Sequence, residues 1–116
     1  MPHVLNDSLR IHYEVHGAGK PLLFVHGGSV SFRANYAQFG WTARAARAGF
    51  RSIGFDLRGH GGSDKPTDPA SYGTAKMAGD ALAVLDHLGL AKVKLVSYSI
   101  GTALALHLLR VAPGRF

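Results

Sequence analysis

An α/β fold, with a largely parallel sheet between two layers of helices, is the architecture that this sequence of 116 residues predicts. Two observations carry the prediction. Short apolar runs with the length of strands alternate with longer segments of helical periodicity, and two of the runs end in glycine-rich turns. The order hairpin, β, α, β, α, β, α specifies right-handed crossovers and helices on both sheet faces. No repeat or linker interrupts it, which predicts one domain over residues 1–116.

Composition excludes several classes of function. The chain has no cysteine, so disulfides, Fe–S clusters and thiolate metal sites are impossible, and the seven histidines are interpreted as lacking zinc-ligand spacings such as H-x-x-x-H or H-E-x-x-H. The net charge of +6 comes from scattered basic residues, which argues against a nucleic-acid face. No signal peptide is evident, and the most apolar window, Leu95 to Leu109, is interrupted by polar residues. We therefore expect a cytoplasmic protein with no nucleic-acid or membrane partner.

The chain begins with a predicted hairpin and a central strand. Between His3 and Val15 an Asn-Asp turn separates two runs, the second of which alternates apolar and polar residues. The continuous apolar run Pro21 to Val25 suits a parallel strand covered on both faces. It leads into His26-Gly27-Gly28-Ser29, where glycines free backbone N–H groups to face the crevice at the strand's carboxyl end. Five histidines are interpreted as surface or boundary residues: His3, His12, His16, His87 and His107.

The middle of the chain contains two predicted helices around a strand and a loop. An alanine-rich helix is expected over Asn35 to Ala48, and a strand over Phe50 to Leu57. Asp56 to Asp64 then forms a loop with three glycines, in which Asp56 and Ser63 can accept hydrogen bonds from backbone N–H groups. After a proline-rich connection, a second helix opens at Thr74 and stops at Gly89, with its apolar stripe on Met77, Ala81, Leu85 and Leu88.

The stretch Lys92 to Leu109 carries the candidate chemistry. An apolar strand ending near Val96 is followed after only five residues, Ser97 to Gly101, by a helix that is apolar almost all round. Such an abrupt reversal needs small residues where the backbones meet, and it places Ser99 at an exposed, strained apex. The first N–H groups of the helix have no intrahelical partner, so they can stabilise an anion formed at Ser99.

Three motifs in this order resemble the α/β-hydrolase family: the His26-Gly27-Gly28 turn, the Asp-x-Arg-Gly-x-Gly-x-Ser loop from Asp56, and the nucleophile elbow Ser97-Tyr98-Ser99-Ile100-Gly101. The first position of the elbow is more often glycine in the family. The resemblance implies that Ser99 is the nucleophile and that the N–H groups of Gly28 and Ile100 form the oxyanion hole. It gives supporting roles to His26, Gly27, Ser29 and Tyr98, and to the Asp56 loop with His60.

The resemblance implies acyl transfer on a small ester, lactone or related carbonyl substrate, a reaction for which no cofactor is expected. Aspartate replaces serine in the branches that open epoxides or haloalkanes. The acidic and histidine members of the triad follow the nucleophile in family order, so they are missing here and the domain is expected to be incomplete. The alternative is a noncatalytic ligand-binding or interaction module of the same fold. A dinucleotide-binding fold is disfavoured, because Ser97 and Ser99 stand where glycines must let a pyrophosphate approach.

The same resemblance bears on association. In the family, the Val93 to Ser97 strand lies beside a strand that comes later in the sequence, so here it would form an open edge with few charges. The helix from Thr102 to Val111 also needs cover on more than one side. The expectation is self-association through the 93–97 edge.

Overall fold

The computed structural model, which describes residues 2–116, has a five-stranded sheet with helices on both faces. The sheet order is β1-β2-β4-β3-β5. β1 and β2 form an antiparallel hairpin, β2 is antiparallel to β4, and β3 runs parallel to both β4 and β5. The α/β prediction is confirmed. The strands are His3–Asn6 (β1), Leu9–His16 (β2), Lys20–Val25 (β3), Phe50–Phe55 (β4) and Lys94–Ser97 (β5).

Two apolar clusters, one on each face of the sheet, produce the three layers. Helices are Phe32–Asn35 (α1), Trp41–Arg47 (α2), Thr74–His87 (α3) and Ile100–Val111 (α4), with 3-10 turns at Ala37–Phe39, Pro69–Tyr72 and Pro113–Arg115. Leu23 and Val25 of β3 point towards α3 and α4, whereas Phe24 between them packs against Phe32 and Tyr36. This alternation along a buried strand gives β3 an apolar side chain at nearly every position.

Gly54 of β4 sets how closely the α1 layer approaches the sheet. A Cβ on Gly54 would lie 2.1 Å from the ring of Phe32, so the ring occupies the space that a side chain there would fill. The hydroxyl of Tyr36 donates to the Val25 carbonyl at 3.0 Å, and burial raises its pKa to about 12. The α1 layer is therefore fixed directly beneath the end of β3, where the candidate site begins.

The hairpin is confirmed, but two details of the sequence interpretation are wrong. The positive φ angles fall on Asp7 (52°) and Ser8 (65°), so these residues rather than Asn6 and Asp7 make the turn. His12 is only 3% exposed. The interpretation as a surface residue fails because the ring contacts the Pro2 carbonyl and Glu14, and the His12 backbone N–H donates to Ser63.

The single helix predicted over Asn35 to Ala48 is also wrong. Helix α1 starts earlier, at Phe32, because the Ser31 hydroxyl accepts a hydrogen bond from the Ala34 N–H and caps it. Gly40 then adopts φ of 81°, which breaks the helical path before α2 begins. Smaller differences are that β4 ends at Phe55, before Leu57, and that α4 begins at Ile100, before Thr102.

A buried ion pair, which the sequence analysis did not find, ties the Asp56–Asp64 loop to α3. Arg58 and Asp80 are each 1% exposed, and the guanidinium donates to both carboxylate oxygens at 2.7 Å. Arg58 also donates to the Ser71 carbonyl, and the bonds to Asp80 raise its pKa. Bidentate pairing with further hydrogen bonds is the arrangement that makes a buried charge tolerable.

The edge of the sheet formed by β5 is open, because within residues 2–116 this strand pairs with β3 alone. Three apolar residues of the following helix, α4, are also exposed: Leu106 (62%), Leu109 (44%) and Val111 (48%). Among residues 2–116, none of the helices is long and apolar enough to span a bilayer.

Candidate active site

Ser99 lies at the apex of an abrupt turn between β5 and α4. Its φ of 57° and ψ of −125° lie outside the regions that residues with side chains favour, and the residue is exposed. This geometry was expected from the small residues around it. Backbone strain of this kind, worth ~1–3 kcal/mol, persists only where the surroundings hold it in place.

Two small residues flanking the apex show how the turn is held. A Cβ on Gly101 would lie 2.5 Å from the carbonyl oxygens of Val25 and His26, so only glycine fits where α4 crosses β3. At the other end of the turn, the Ser97 hydroxyl lies 3.0 Å from that of Thr102. Ser97, which stands where the family more often has glycine, therefore helps to close the turn through this hydrogen bond.

The Gly27-Gly28 turn lies against the Ser99 apex. A Cβ on Gly27 would be 3.0 Å from the Tyr98 ring and 3.4 Å from Ser99 Cβ. A Cβ on Gly28 would lie 3.6 Å from Cγ2 of Ile100. The Gly27-Gly28 turn and the elbow around Ser99, which lie far apart in the sequence, are therefore neighbours at the carboxyl ends of β3 and β5.

Two backbone donors at this junction are unused. Within the described part of the chain, neither the Gly28 N–H nor the Ile100 N–H has a hydrogen-bond partner. The adjacent Gly27 N–H, in contrast, donates to the side chain of Asn35 at 2.8 Å, a contact that the sequence did not indicate. Ser29 follows with φ of 63°, which turns the chain away from the site. Unpaired N–H groups beside an exposed hydroxyl can stabilise negative charge on an oxygen atom.

The His26 ring links the turn after β3 to the segment after β4. The ring is fully buried, and its Nε2 accepts a hydrogen bond from the Leu57 N–H at 3.0 Å. The proton is therefore on Nδ1, which donates to the Gly27 carbonyl at 2.6 Å. Burial lowers the pKa of His26, so the neutral ring is the stable form. With both nitrogens engaged, His26 joins β3 to β4 and has no free nitrogen for Ser99.

In the Asp56–Asp64 loop, the Asp56 and Ser63 side chains are paired with backbone groups. Asp56 accepts from the Phe32 and Gly62 N–H groups at 2.9 Å, one on each carboxylate oxygen. Ser63 accepts from His12 and donates to the Asp56 carbonyl. His60 lies edge-on to His26, with ring centroids 5.3 Å apart, and its Nδ1 is 3.2 Å from the Arg58 carbonyl. These contacts describe a scaffold for the His26 side of the site.

The interpretation that no histidines have zinc-ligand spacing is wrong for one pair. His12 and His16 stand four residues apart, a spacing that can indicate metal ligands, and both rings contact Glu14 at 3.2 and 3.0 Å. Arg33 reaches the same carboxylate at 3.0 Å. Burial raises the pKa of Glu14, but hydrogen bonds from Arg33 and the two histidines outweigh it and lower the pKa. Over residues 2–116, no group of three His, Asp or Glu side chains is arranged to hold a metal ion.

Comparison with known proteins gives a consistent result. The family model for the alpha/beta hydrolase fold matches residues 20–116. A curated relative from Bacillus subtilis, described as an AB hydrolase superfamily protein, is 38% identical over 78% of this chain and 32% of its own length. Epoxide hydrolase 3 of Siraitia grosvenorii is 30% identical over 94% of this chain and 34% of its own length.

Solved structures resemble the chain along nearly its whole length. An epoxide hydrolase from Vigna radiata superposes with a TM-score of 0.88 at 26% identity, over 99% of this chain and 36% of that one. An N-acyl homoserine lactone degrading enzyme has a TM-score of 0.88 at 36% identity, over 98% of this chain and 42% of the other. The chain thus spans about a third of the length of the curated relatives it matches.

Proposed function

Because the chain belongs to the α/β-hydrolase family, we propose that it carries the nucleophile of a serine hydrolase acting on a small ester, lactone or related carbonyl compound. The observation that carries the proposal is the exposed Ser99 hydroxyl at positive φ beside two unpaired N–H groups, those of Gly28 and Ile100. A nucleophile and a donor pair close to it are what acyl transfer requires.

In the proposed reaction, Ser99 Oγ bonds to the carbonyl carbon, and the carbonyl oxygen becomes an oxyanion held by the Gly28 and Ile100 N–H groups. Collapse of this intermediate breaks the ester C–O bond, and the alcohol leaves with the proton that Ser99 lost. Water then releases the acid and restores the hydroxyl. A base must move these protons, and His26 has no free nitrogen for the task. We assign the base to a histidine, oriented by a carboxylate, outside these 116 residues.

Serine at position 99 favours carbonyl substrates over epoxides. A carboxylate nucleophile opens an epoxide to an ester, which water can hydrolyse to regenerate the enzyme. A serine hydroxyl would instead form an ether, which lacks a carbonyl for water to attack and would end the cycle. The relatives named as epoxide hydrolases therefore inform the fold of this chain, whereas the lactone-degrading neighbour is the better guide to its substrate.

A serine-directed probe tests the proposal. An alkyl fluorophosphonate forms an Oγ–P bond with an activated serine and releases fluoride, and the mass of the intact protein reports the adduct. We expect labelling of the chain that is accelerated by added imidazole, as a substitute base, and abolished by Ser99→Ala. Ser8→Ala is the matched control, because Ser8 is also exposed and has φ of 65° but lies in the hairpin turn. Labelling that Ser99→Ala does not reduce would contradict the proposal.

The second candidate is a binding module that keeps the pocket without turnover. It is favoured by the state of His26, since both nitrogens of this histidine, which leads into the Gly27-Gly28 turn, are engaged. For this reason the chain should hydrolyse a p-nitrophenyl ester hardly faster than its Ser99→Ala variant. A Ser99 that is inert to the fluorophosphonate even with imidazole would favour this candidate.

The open edge supports one further element of the proposal, association of two copies. Strand β5 leaves one row of backbone groups unpaired, and Lys94 is the one charged residue in it. Helix α4, which follows β5 in the chain, adds exposed apolar residues. We assign the occupant to a second copy of the chain pairing through β5, and expect sedimentation to show dimers or larger species at micromolar concentration. A stable, cooperatively folding monomer would contradict it.

A further inference from the structure

A small cavity opens beside the candidate oxyanion donors, between the first turns of α3 and α4. Its volume is about 120 Å³. Leu57 and Leu104, 2% and 4% exposed, form its floor, and Met77 and Ala103 form its walls. Ile100, which is 55% exposed, stands at the rim.

The lining of the cavity is uncharged. Tyr72 contributes its ring, because its hydroxyl already donates to the Pro66 carbonyl at 2.6 Å. Thr74 is the other polar residue, and it lies at the exposed start of α3. Binding of an apolar group to this lining is favourable because it removes apolar surface from water, whereas an ionic group would find no counter-charge there.

Ile100 connects the cavity to the chemistry. Its backbone N–H is one of the two unpaired donors, and its side chain lines the cavity on one side and approaches Gly28 on the other. A carbonyl oxygen held by the Ile100 N–H would bring its carbonyl carbon next to Ser99. The substituent on that carbon is then the part of the substrate closest to the cavity.

The volume limits the substituent. Pockets that enclose a whole drug-sized ligand measure ~300–1,000 Å³, so this cavity holds only part of a substrate. At ~30 Å³ for each water-sized group, it accommodates about four such groups.

We propose that this cavity is an acyl-chain subsite, which takes alkyl groups of about four carbons or fewer on the carbonyl of the substrate. The inference deepens the proposed function and rests on it for the reaction, but the binding step can be measured without reaction. Ala103 and Met77 are then specificity-determining residues, and Ile100 serves both the oxyanion and the alkyl group.

Butyramide, an unreactive carbonyl compound with a straight chain, is the probe. Its titration should shift the methyl NMR signals of Met77 and Ile100, in the wild-type chain and equally in Ser99→Ala. Octanamide, whose chain exceeds the volume of the cavity, should bind no more tightly than butyramide. Butyramide that leaves both methyl signals unchanged would overturn the proposal.

Substitution supplies the second arm. Ala103→Phe fills the cavity from its wall and should weaken butyramide binding at least tenfold, whereas Ala43→Phe, on the exposed face of α2, should leave it unchanged. Equal binding by both variants would overturn the subsite. Failure of fluorophosphonate labelling with these shifts intact would contradict the proposed reaction and leave the alkyl subsite standing.

Discussion

Two loops at the same edge of the sheet differ in how their polar groups are used. The Asp56–Asp64 loop follows β4, and its aspartate, serine and arginine side chains bind backbone groups or a buried carboxylate. The elbow from Ser97 to Gly101 follows β5, places Ser99 at φ of 57°, and leaves the Ile100 N–H unpaired. Exposed N–H groups beside a strained serine are free to bind an oxyanion, as we propose for the elbow, whereas the side chains named in the first loop are already committed to contacts within the fold.

The largest effect is expected from breaking the paired loop. Asp80→Ala removes the bidentate partner of the buried Arg58 guanidinium and leaves it the exposed Asp7 carboxylate at 3.3 Å, and loss of one partner of a buried pair costs ~3–5 kcal/mol. That is a large share of the ~5–15 kcal/mol that stabilises a domain. Urea unfolding at fixed protein concentration measures the change. Asp86→Ala is the control, because its Arg115 partner lies at the surface, and a similar loss in both variants would contradict the distinction.

A smaller loss should follow from crowding the elbow. Gly101→Ala would place a Cβ 2.5 Å from two backbone carbonyls, so β3 and α4 must separate, at a cost of ~1–3 kcal/mol. Gly114→Ala, where no atom lies within 4 Å of the added Cβ, should change stability little. The same urea titration compares the two. Equal stabilities would mean that the elbow is not held by close packing.

Relaxing the apex should stabilise the protein. Ser99→Gly removes ~1–3 kcal/mol of backbone strain, offset by the ~0.5–1 kcal/mol that glycine costs through its freedom in the unfolded chain. The expected net gain is about 1 kcal/mol, accompanied by loss of fluorophosphonate labelling. Ser99→Ala, which keeps a Cβ, should lose labelling without the gain in the urea midpoint. A destabilised Ser99→Gly variant would show that the hydroxyl supports the fold.

The smallest expected effect is a pH dependence of stability that comes from His26, whose ring links the turn after β3 to the segment after β4. Burial lowers the pKa of His26 below 6.5, so the unfolded chain takes up this proton first as the pH falls. The contribution of the neutral ring is complete above about pH 6.5 and declines below it. His26→Gln cannot titrate, and its melting temperature should fall less between pH 7 and pH 5 than that of the wild type. His107→Ala, which removes a histidine of α4 outside the site, is the control and should keep the wild-type change of melting temperature with pH. The same change in all three proteins would contradict the assignment to His26.

The sequence predicted local features well and contacts between distant side chains poorly. Small residues around Ser99 and the glycines after β3 report on steric limits that act within a few residues, so the elbow and its neighbour could be anticipated. The Arg58–Asp80 pair joins residues 22 apart, and the Asn35 contact to Gly27 crosses from a helix that was predicted with the wrong start. Hydrophobic periodicity does not register such contacts, nor does it show that His12 is enclosed by Pro2, Glu14 and Ser63.

The strand order has a consequence for how the chain reaches its native state. Strand β2 does not pair with β3, which follows it, but with β4, and β3 pairs with β5, whose register joins Leu22 to Lys94. Most of the sheet therefore depends on closing long loops, which slows folding relative to proteins with local contacts. The β1–β2 hairpin can form early, whereas β3 has only one of its neighbours until the last strand arrives. We therefore expect the turn that presents Ser99 to form late, after the scaffold loop between β4 and α3 is in place.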